Sequence, residues 1–187
     1  MKKAAFFTVF ITVTCFTFAH TNPTKNSEDS LFIRSSYVHD LLQQIVSVTG
    51  IDENFELKEA NVLNIEATIT HKKRYILYNP SFISSLNNIA KDKWAVTALL
   101  AHEVGHHLNG HTMHRGGSKP KLELEADEFA GFILYKLGAT LRQSQNVMYY
   151  IASTKASRTH PSREARLSAI ETGWNKAFAS QEATARQ

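Results

Sequence analysis

Apolar positions along the chain switch between two periods, and the switches mark out the elements. The run LFIRSSYVHDLLQQIVSV places Leu31, Val38, Leu41, Leu42, Ile45 and Val46 at helical spacing, and Gly50 supplies a stop, which predicts a first amphipathic helix. The period then changes to strict alternation. Leu63, Ile65, Ala67 and Ile69 stand against Asn64, Glu66, Thr68 and Thr70, as in a strand with one buried face. HKK turns the chain and RYILY returns as a second β-prone segment, so a hairpin is expected, ended by Asn79 and Pro80. Helical spacing resumes from Trp94 to about Asn109. After a loop containing RGGSKPK it returns from near Leu122 to Gly138. TLRQSQNVMYYIASTKAS predicts a further helix, and SREARLSAIETGWNKAF a last one, with Pro161 acceptable in its first turn. The expected fold class is α+β, a single mainly helical domain over residues 31–180 with a small hairpin.

The ends of the chain change this picture. MKK is a short basic start, AAFFTVFITVT is an apolar run of signal-peptide length, and Thr17 and Ala19 are small residues placed for cleavage before His20. Residues 1–19 are therefore expected to direct export, to a periplasm or to the medium, leaving a mature chain with no membrane span. The residues before Cys15, TVT, lack the apolar and small residues that precede a lipidated cysteine, which argues against a lipid anchor. Cys15 is the one cysteine, so its removal leaves neither a disulfide nor a thiolate ligand. Lys2 and Lys3 leave with it, and the formal charge drops from +4 to +2, 19 basic against 17 acidic residues. No Lys/Arg run remains to bind nucleic acid. Residues 20–30, HTNPTKNSEDS, are expected to be a flexible mature N-terminus, and residues 181–187 a C-terminal tail. With 187 residues, 43% of them hydrophobic and 20% charged, the rest suits one compact domain.

The chemistry is concentrated in AHEVGHHLNGH, residues 101–111, and in the helix after it. Successive helical residues are about 100° apart, so His102 and His106 lie about 40° from each other on one face and can reach a common ion. His107 is about 100° further round and cannot easily join them. Glu103 falls about 60° beyond His106, near the ion but poorly placed to bind it, which is where a general base belongs. Zn²⁺, one per chain, suits two imidazoles and a carboxylate with a position left for water. On the following helix Leu122, Ala126, Phe129, Ala130, Ile133 and Leu137 define the expected buried face, and Glu123 is the acid nearest to it, hence the third ligand. Asp127, one turn later, could accept the N–H of His102 and fix its tautomer. The small residues Ala126, Ala130 and Gly131, with Gly105 opposite, would let the two helices approach closely. A metzincin would need glycine three and histidine six residues after His106, where Asn109 and Thr112 stand.

LLAHEVGHHLNGH, ELEADEFAG and THPSREAR together resemble the three signature blocks of the M48 zinc metallopeptidases, which are gluzincins, over residues 98–166. The resemblance implies a minimal zincin-like catalytic domain, with His102, His106 and Glu123 as zinc ligands, Glu103 as the catalytic glutamate and Asp127 as the aspartate behind the ligands. It also offers His160, in THP, as the donor to the tetrahedral oxyanion, with a structural cap or loop contact as an equal alternative; Tyr149 and Tyr150 are lesser candidates, better accommodated in the core. Many members carry a histidine at the position of His111 without using it as a ligand. His111 and His114 are accordingly expected to be helix-end residues, solvated or locally hydrogen-bonded. The implied activity is peptide-bond hydrolysis of a polypeptide substrate, in the manner of compact exported members that act in envelope protein quality control. RYILY could be the edge along which an extended substrate pairs, or equally a fully covered strand. The rival expectation is an exported zinc-binding or chaperone-like protein that does not cleave. Glu103 discriminates between the two, because storage has no use for a carboxylate that does not ligate. A closed structural zinc site would need a fourth protein ligand, and the sequence offers none.

Overall fold

The computed structural model describes residues 27–113 and 118–186, and the expectations for residues 1–26 and for His114 lie outside the described residues. The fold is α+β and mainly helical, with α1 (Ser27–Thr49), α2 (Pro80–Ala90), α3 (Trp94–Leu108), α4 (Pro120–Lys136), α5 (Leu141–Ile151) and α6 (Arg163–Ala185) around a sheet of β1 (Glu56–Glu59), β2 (Ile65–Thr70) and β3 (Lys73–Tyr78). No described helix is long and apolar enough to cross a membrane.

The helix α3 is central. WAVTALLA has no polar side, and every residue from Ala95 to His107 is buried, as expected of a helix surrounded by others. It packs on α1, α2, α4, α5 and β2. Val38, Leu41, Leu42 and Ile45 of α1 meet it in the common core, and Gly50, at φ 70, ends α1 where the sequence places a stop.

The sheet keeps the expected turn but is larger than a hairpin. The turn between β2 and β3 is made by His71 and Lys72, both at positive φ (51 and 66), as a two-residue reversal that matches strand twist requires. β3 is a central strand rather than an edge, because β1 pairs with it in parallel on the side away from β2. β1 has the polar sequence ELKE, which carries no apolar alternation to reveal it. β1 and β2 are the two edge strands, and β2 is covered on both faces over Ile65 to Thr68, so Glu66 and Thr68 are buried although the alternation assigns them to solvent. Leu63 lies before the strand and is exposed.

Asn79 and Pro80 begin a helix as well as ending a strand. The Asn79 side chain accepts hydrogen bonds from the backbone N–H of Ser81 and Phe82, and Pro80 occupies the first turn, where its missing N–H costs nothing. α5 stops at Ile151, six residues short of the expected end, and Ala152 to Ser162 form a loop tied back by Arg163 N–H to the Ser153 carbonyl at 2.7 Å. Pro161 stands before the Ser162 cap, outside the first turn of α6, and α6 runs on through much of the expected tail.

α4 and α6 cross at two glycines. A Cβ on Gly131 would run into the Ile170 carbonyl oxygen, and one on Gly173 would run into that of Glu128. Gly131 thus serves the contact with α6, not the expected approach to α3. Gly105 does face α4, against Phe129 and Ala126.

Candidate metal centre

His102, His106 and Glu123 meet in the core, and one ligand atom from each lies within 4.8 Å of the others. The helical period puts both imidazoles on the same side of α3, and α4 crosses that side with Glu123 fully buried. The buried side of α4 runs through Glu123, Ala126, Asp127, Ala130 and Leu134, turned further toward the acids than the apolar residues alone indicate. The converging atoms are His102 Nε2 and His106 Nε2 at 3.0 Å, His102 Nε2 and Glu123 Oε2 at 3.5 Å, and His106 Nε2 and Glu123 Oε1 at 3.5 Å. Ligands about 2.0–2.1 Å from a tetrahedral zinc ion lie about 3.3–3.5 Å from one another. The group therefore has the right dimensions to hold a metal ion. Glu123 Oε2 is a buried oxygen with no hydrogen-bond partner, the kind of atom a cation would satisfy.

Two further side chains hold members of this group. Asp127 Oδ1 is 2.8 Å from His102 Nδ1 and, being a carboxylate, accepts the hydrogen, which leaves His102 Nε2 facing the centre. Ser118 Oγ lies 2.6 Å from Glu123 Oε1 and 2.9 Å from the Thr159 carbonyl, so the loop before α4 and the loop before α6 meet at the third ligand.

The electrostatics follow from burial of opposite charges side by side. Burial would push the His102 imidazolium down, but Asp127 and then Glu123 outweigh it and hold it up to about 10. Burial would likewise raise Glu123, yet His102, His106 and Arg166 keep its carboxyl well below the ordinary range. His106 is lowered by burial and by its charged neighbour His102. A carboxylate enclosed by two imidazoles needs positive charge at that point. The His102 proton supplies it, and a divalent cation would supply it in the proton's place.

Glu103 stands apart from the ligand group, as its position on the helix requires. Its Oε2 accepts a hydrogen bond of 2.7 Å from Ala67 N–H on the free edge of β2. Burial pushes its carboxyl up to about 8, with the Glu123 charge adding to the effect. His160 is brought to the same region by the loop before α6. Its Nδ1 is 2.9 Å from Thr159 Oγ1, its Nε2 is buried without a hydrogen-bond partner, and its pKa is lowered first by burial, with the charges of Glu123, Arg166 and His102 also felt. Tyr149 and Tyr150 are half-exposed on α5, so neither is the core residue expected.

Arg166 and Ser118 have no role in the pattern analysis, and His111 has one only as a helix-end residue. Arg166 is buried on α6 and grips Asp127 with two hydrogen bonds, Nε to Oδ2 at 2.6 Å and a terminal nitrogen to Oδ1 at 2.7 Å. Its signal is a charge one turn before Ile170 on the buried side of α6, alongside Gly173 and Ala177. Ser118 has no signal in the sequence. His111 is buried and hydrogen-bonded to His106 and Glu125, which makes it the locally hydrogen-bonded helix-end residue and not the solvated one. His107 is excluded from the centre as expected. Its Nε2 donates to the Tyr75 carbonyl at 2.9 Å and its ring stacks on Phe55, pinning α3 to β3. No protein-family model, no curated protein and no solved structure matches this chain.

Proposed function

We propose that the protein is an exported zinc-dependent metallopeptidase with a zincin-like catalytic domain. The observation that carries this reading is Glu103, a buried carboxylate that stays out of the ligand group yet sits one residue from the first ligand, held by Ala67 N–H. Metal storage gives such a group nothing to do, whereas hydrolysis needs a base beside the water. Among the described residues no fourth ligand joins His102, His106 and Glu123, which favours a centre with a position for water over a closed structural one. The likeness of the three sequence blocks to M48 peptidases supports the same assignment.

A zinc ion in the centre supplies Lewis acidity, making water a better nucleophile and a carbonyl a better electrophile. His102, His106 and Glu123 hold it, and Asp127 with Arg166 fixes the His102 ring. Glu103 takes the proton of the attacking water and passes it to the leaving amine. His160 Nε2 donates to the oxyanion that forms at the scissile carbonyl. The substrate is an extended polypeptide laid along β2, whose free edge meets Glu103 at Ala67, in place of the RYILY strand. Envelope protein quality control is the setting that fits an exported peptidase of this kind.

The test is hydrolysis of casein and quenched peptides by zinc-loaded protein, with and without chelator, against Glu103→Gln. Cleavage that disappears with chelator and falls at least a hundredfold in the variant is expected. A wild-type protein that binds one zinc and cleaves nothing gives the non-cleaving, chaperone-like reading the advantage.

A further inference from the structure

His111 lies in the 3₁₀ turn of His111–Met113 that follows α3, and only 1% of it is exposed. Its Nδ1 is 2.9 Å from His106 Nδ1, and its Nε2 is 2.9 Å from Glu125 Oε2. With neutral rings this line has a single arrangement of hydrogens. The Glu125 carboxylate only accepts, so His111 Nε2 carries a hydrogen and His111 Nδ1 keeps a lone pair. Two ring nitrogens 2.9 Å apart share one hydrogen, so His106 Nδ1 donates it. His106 is thereby set as the Nδ1–H tautomer, and its lone pair is on Nε2, the atom that faces His102 and Glu123.

We infer that His111, held by Glu125, is a positioning residue that aims His106 Nε2 into the metal centre, as Asp127 and Arg166 do for His102. The two supports differ in where they end. The His102 support ends on Arg166 in the core, whereas the His106 support reaches the surface at Glu125, whose side chain is 42% exposed and lies 3.7 Å from Lys121 Nζ. His111 can therefore be replaced without stranding a buried charge. The contact between His111 and Glu125 spans fourteen residues and ties the turn after α3 to α4. It thus fixes the spacing of the helices that carry the ligands as well as the tautomer.

This inference rests on the metal-binding half of the proposed function and is independent of peptide cleavage. Zinc affinity, read by competition with a chromophoric chelator, is compared for wild type, His111→Leu and His111→Asn, and long-range ¹H–¹⁵N spectra report the His106 tautomer in the wild type. An asparagine Oδ1 can accept from His106 Nδ1 but does not reach Glu125. His111→Leu is expected to weaken zinc binding by about tenfold to a hundredfold, with most of the loss recovered in His111→Asn. The spectra are expected to show hydrogen on His106 Nδ1. Hydrogen on Nε2 overturns the inference whatever the variants do. So does a folded His111→Leu that binds zinc as the wild type does, or an asparagine variant as weak as the leucine one. A wild type that binds no zinc overturns the metal centre itself, and the tautomer then still reports whether His111 orients His106.

Discussion

Arg166→Met replaces a buried guanidinium with an apolar chain of similar reach. It leaves the Asp127 carboxylate, fully buried, with His102 Nδ1 at 2.8 Å as its remaining hydrogen-bond partner. Two charge-assisted hydrogen bonds of 2.6 and 2.7 Å are lost. At about 1.5–3 kcal/mol each, the cost is about 3–6 kcal/mol, close to the roughly 3–5 kcal/mol for stripping one member from a buried ion pair. For a chain of this length each kcal/mol lowers the melting temperature by about 2–4 °C, so a fall on the order of 10 °C is expected. The assay is thermal and urea unfolding followed by circular dichroism, on chelated samples so that bound metal does not add stability. The penalty comes from an uncompensated anion, and neutralising that anion should relieve part of it. Arg166→Met combined with Asp127→Asn is accordingly expected to be more stable than Arg166→Met alone, since the amide oxygen of the substituted side chain would still accept from His102. A loss below about 1 kcal/mol in the single variant would refute the reasoning, because that is the scale of a solvent-screened pair. A double variant less stable than the single one would also refute it, because the stranded carboxylate would not then be the source of the cost.

Gly173→Ala would gain up to about 1 kcal/mol of helix propensity at an open position, but here its Cβ meets the Glu128 backbone, so a net loss of about 1–3 kcal/mol in urea unfolding and weaker zinc binding are expected. An unchanged or raised stability would show that the helices do not approach as closely as the crossing requires. His107 is held down to about 4 by burial, against an ordinary value of 6.5, so the unfolded chain binds the extra proton between those values and stability falls as pH drops from about 6.5 to about 4. His107→Gln is expected to flatten the stability profile in that window by about 1.4 kcal/mol per pH unit; an identical slope in the variant would assign the acid sensitivity to other groups.

The parts of the centre that lie within one helix were legible in the sequence, because the helical period is a rigid ruler. His102, Glu103 and His106 needed only that ruler, and the same ruler on α4 picked out Glu123 and Asp127. Residues whose placement depends on how helices cross, or on loops, were not legible. Arg166 reaches Asp127 because Gly131 and Gly173 bring α6 against α4, and the helical wheel of either helix alone says nothing of that crossing. Ser118 comes from a loop whose course is set by a few long-range hydrogen bonds, such as Ser118 to Thr159, and His160 was indicated only by the likeness of its THP block. The misread elements have local causes. In α2 the Asn-Pro pair caps a helix while also ending a strand, and α5 was overextended because Ala152 to Ser157 contain no proline or glycine to mark the stop. Glu66 and Thr68 alternate as solvent-facing residues should, but burial of both faces of β2 is a property of the assembled fold.

The dependence of the ligands on crossing geometry explains why the support for His102 is charged and buried while that for His106 is neutral and reaches the surface. His102 lies one turn further from the end of α3, where its partner comes from α4, and a lone carboxylate there would be costly. Arg166 neutralises that carboxylate and fixes both of its oxygens, so the ring of His102 has one orientation. His106 sits one turn nearer the end of α3, close enough to the following turn for His111 to support it at a separation of five residues. A buried ion pair at that end would bring desolvation without added rigidity, and a neutral imidazole leading to an exposed carboxylate avoids it. The two histidines that look equivalent in the motif are therefore held by different physics. Substitutions behind His102 should unfold the protein before they loosen the metal, and substitutions behind His106 should loosen the metal in a protein that remains folded.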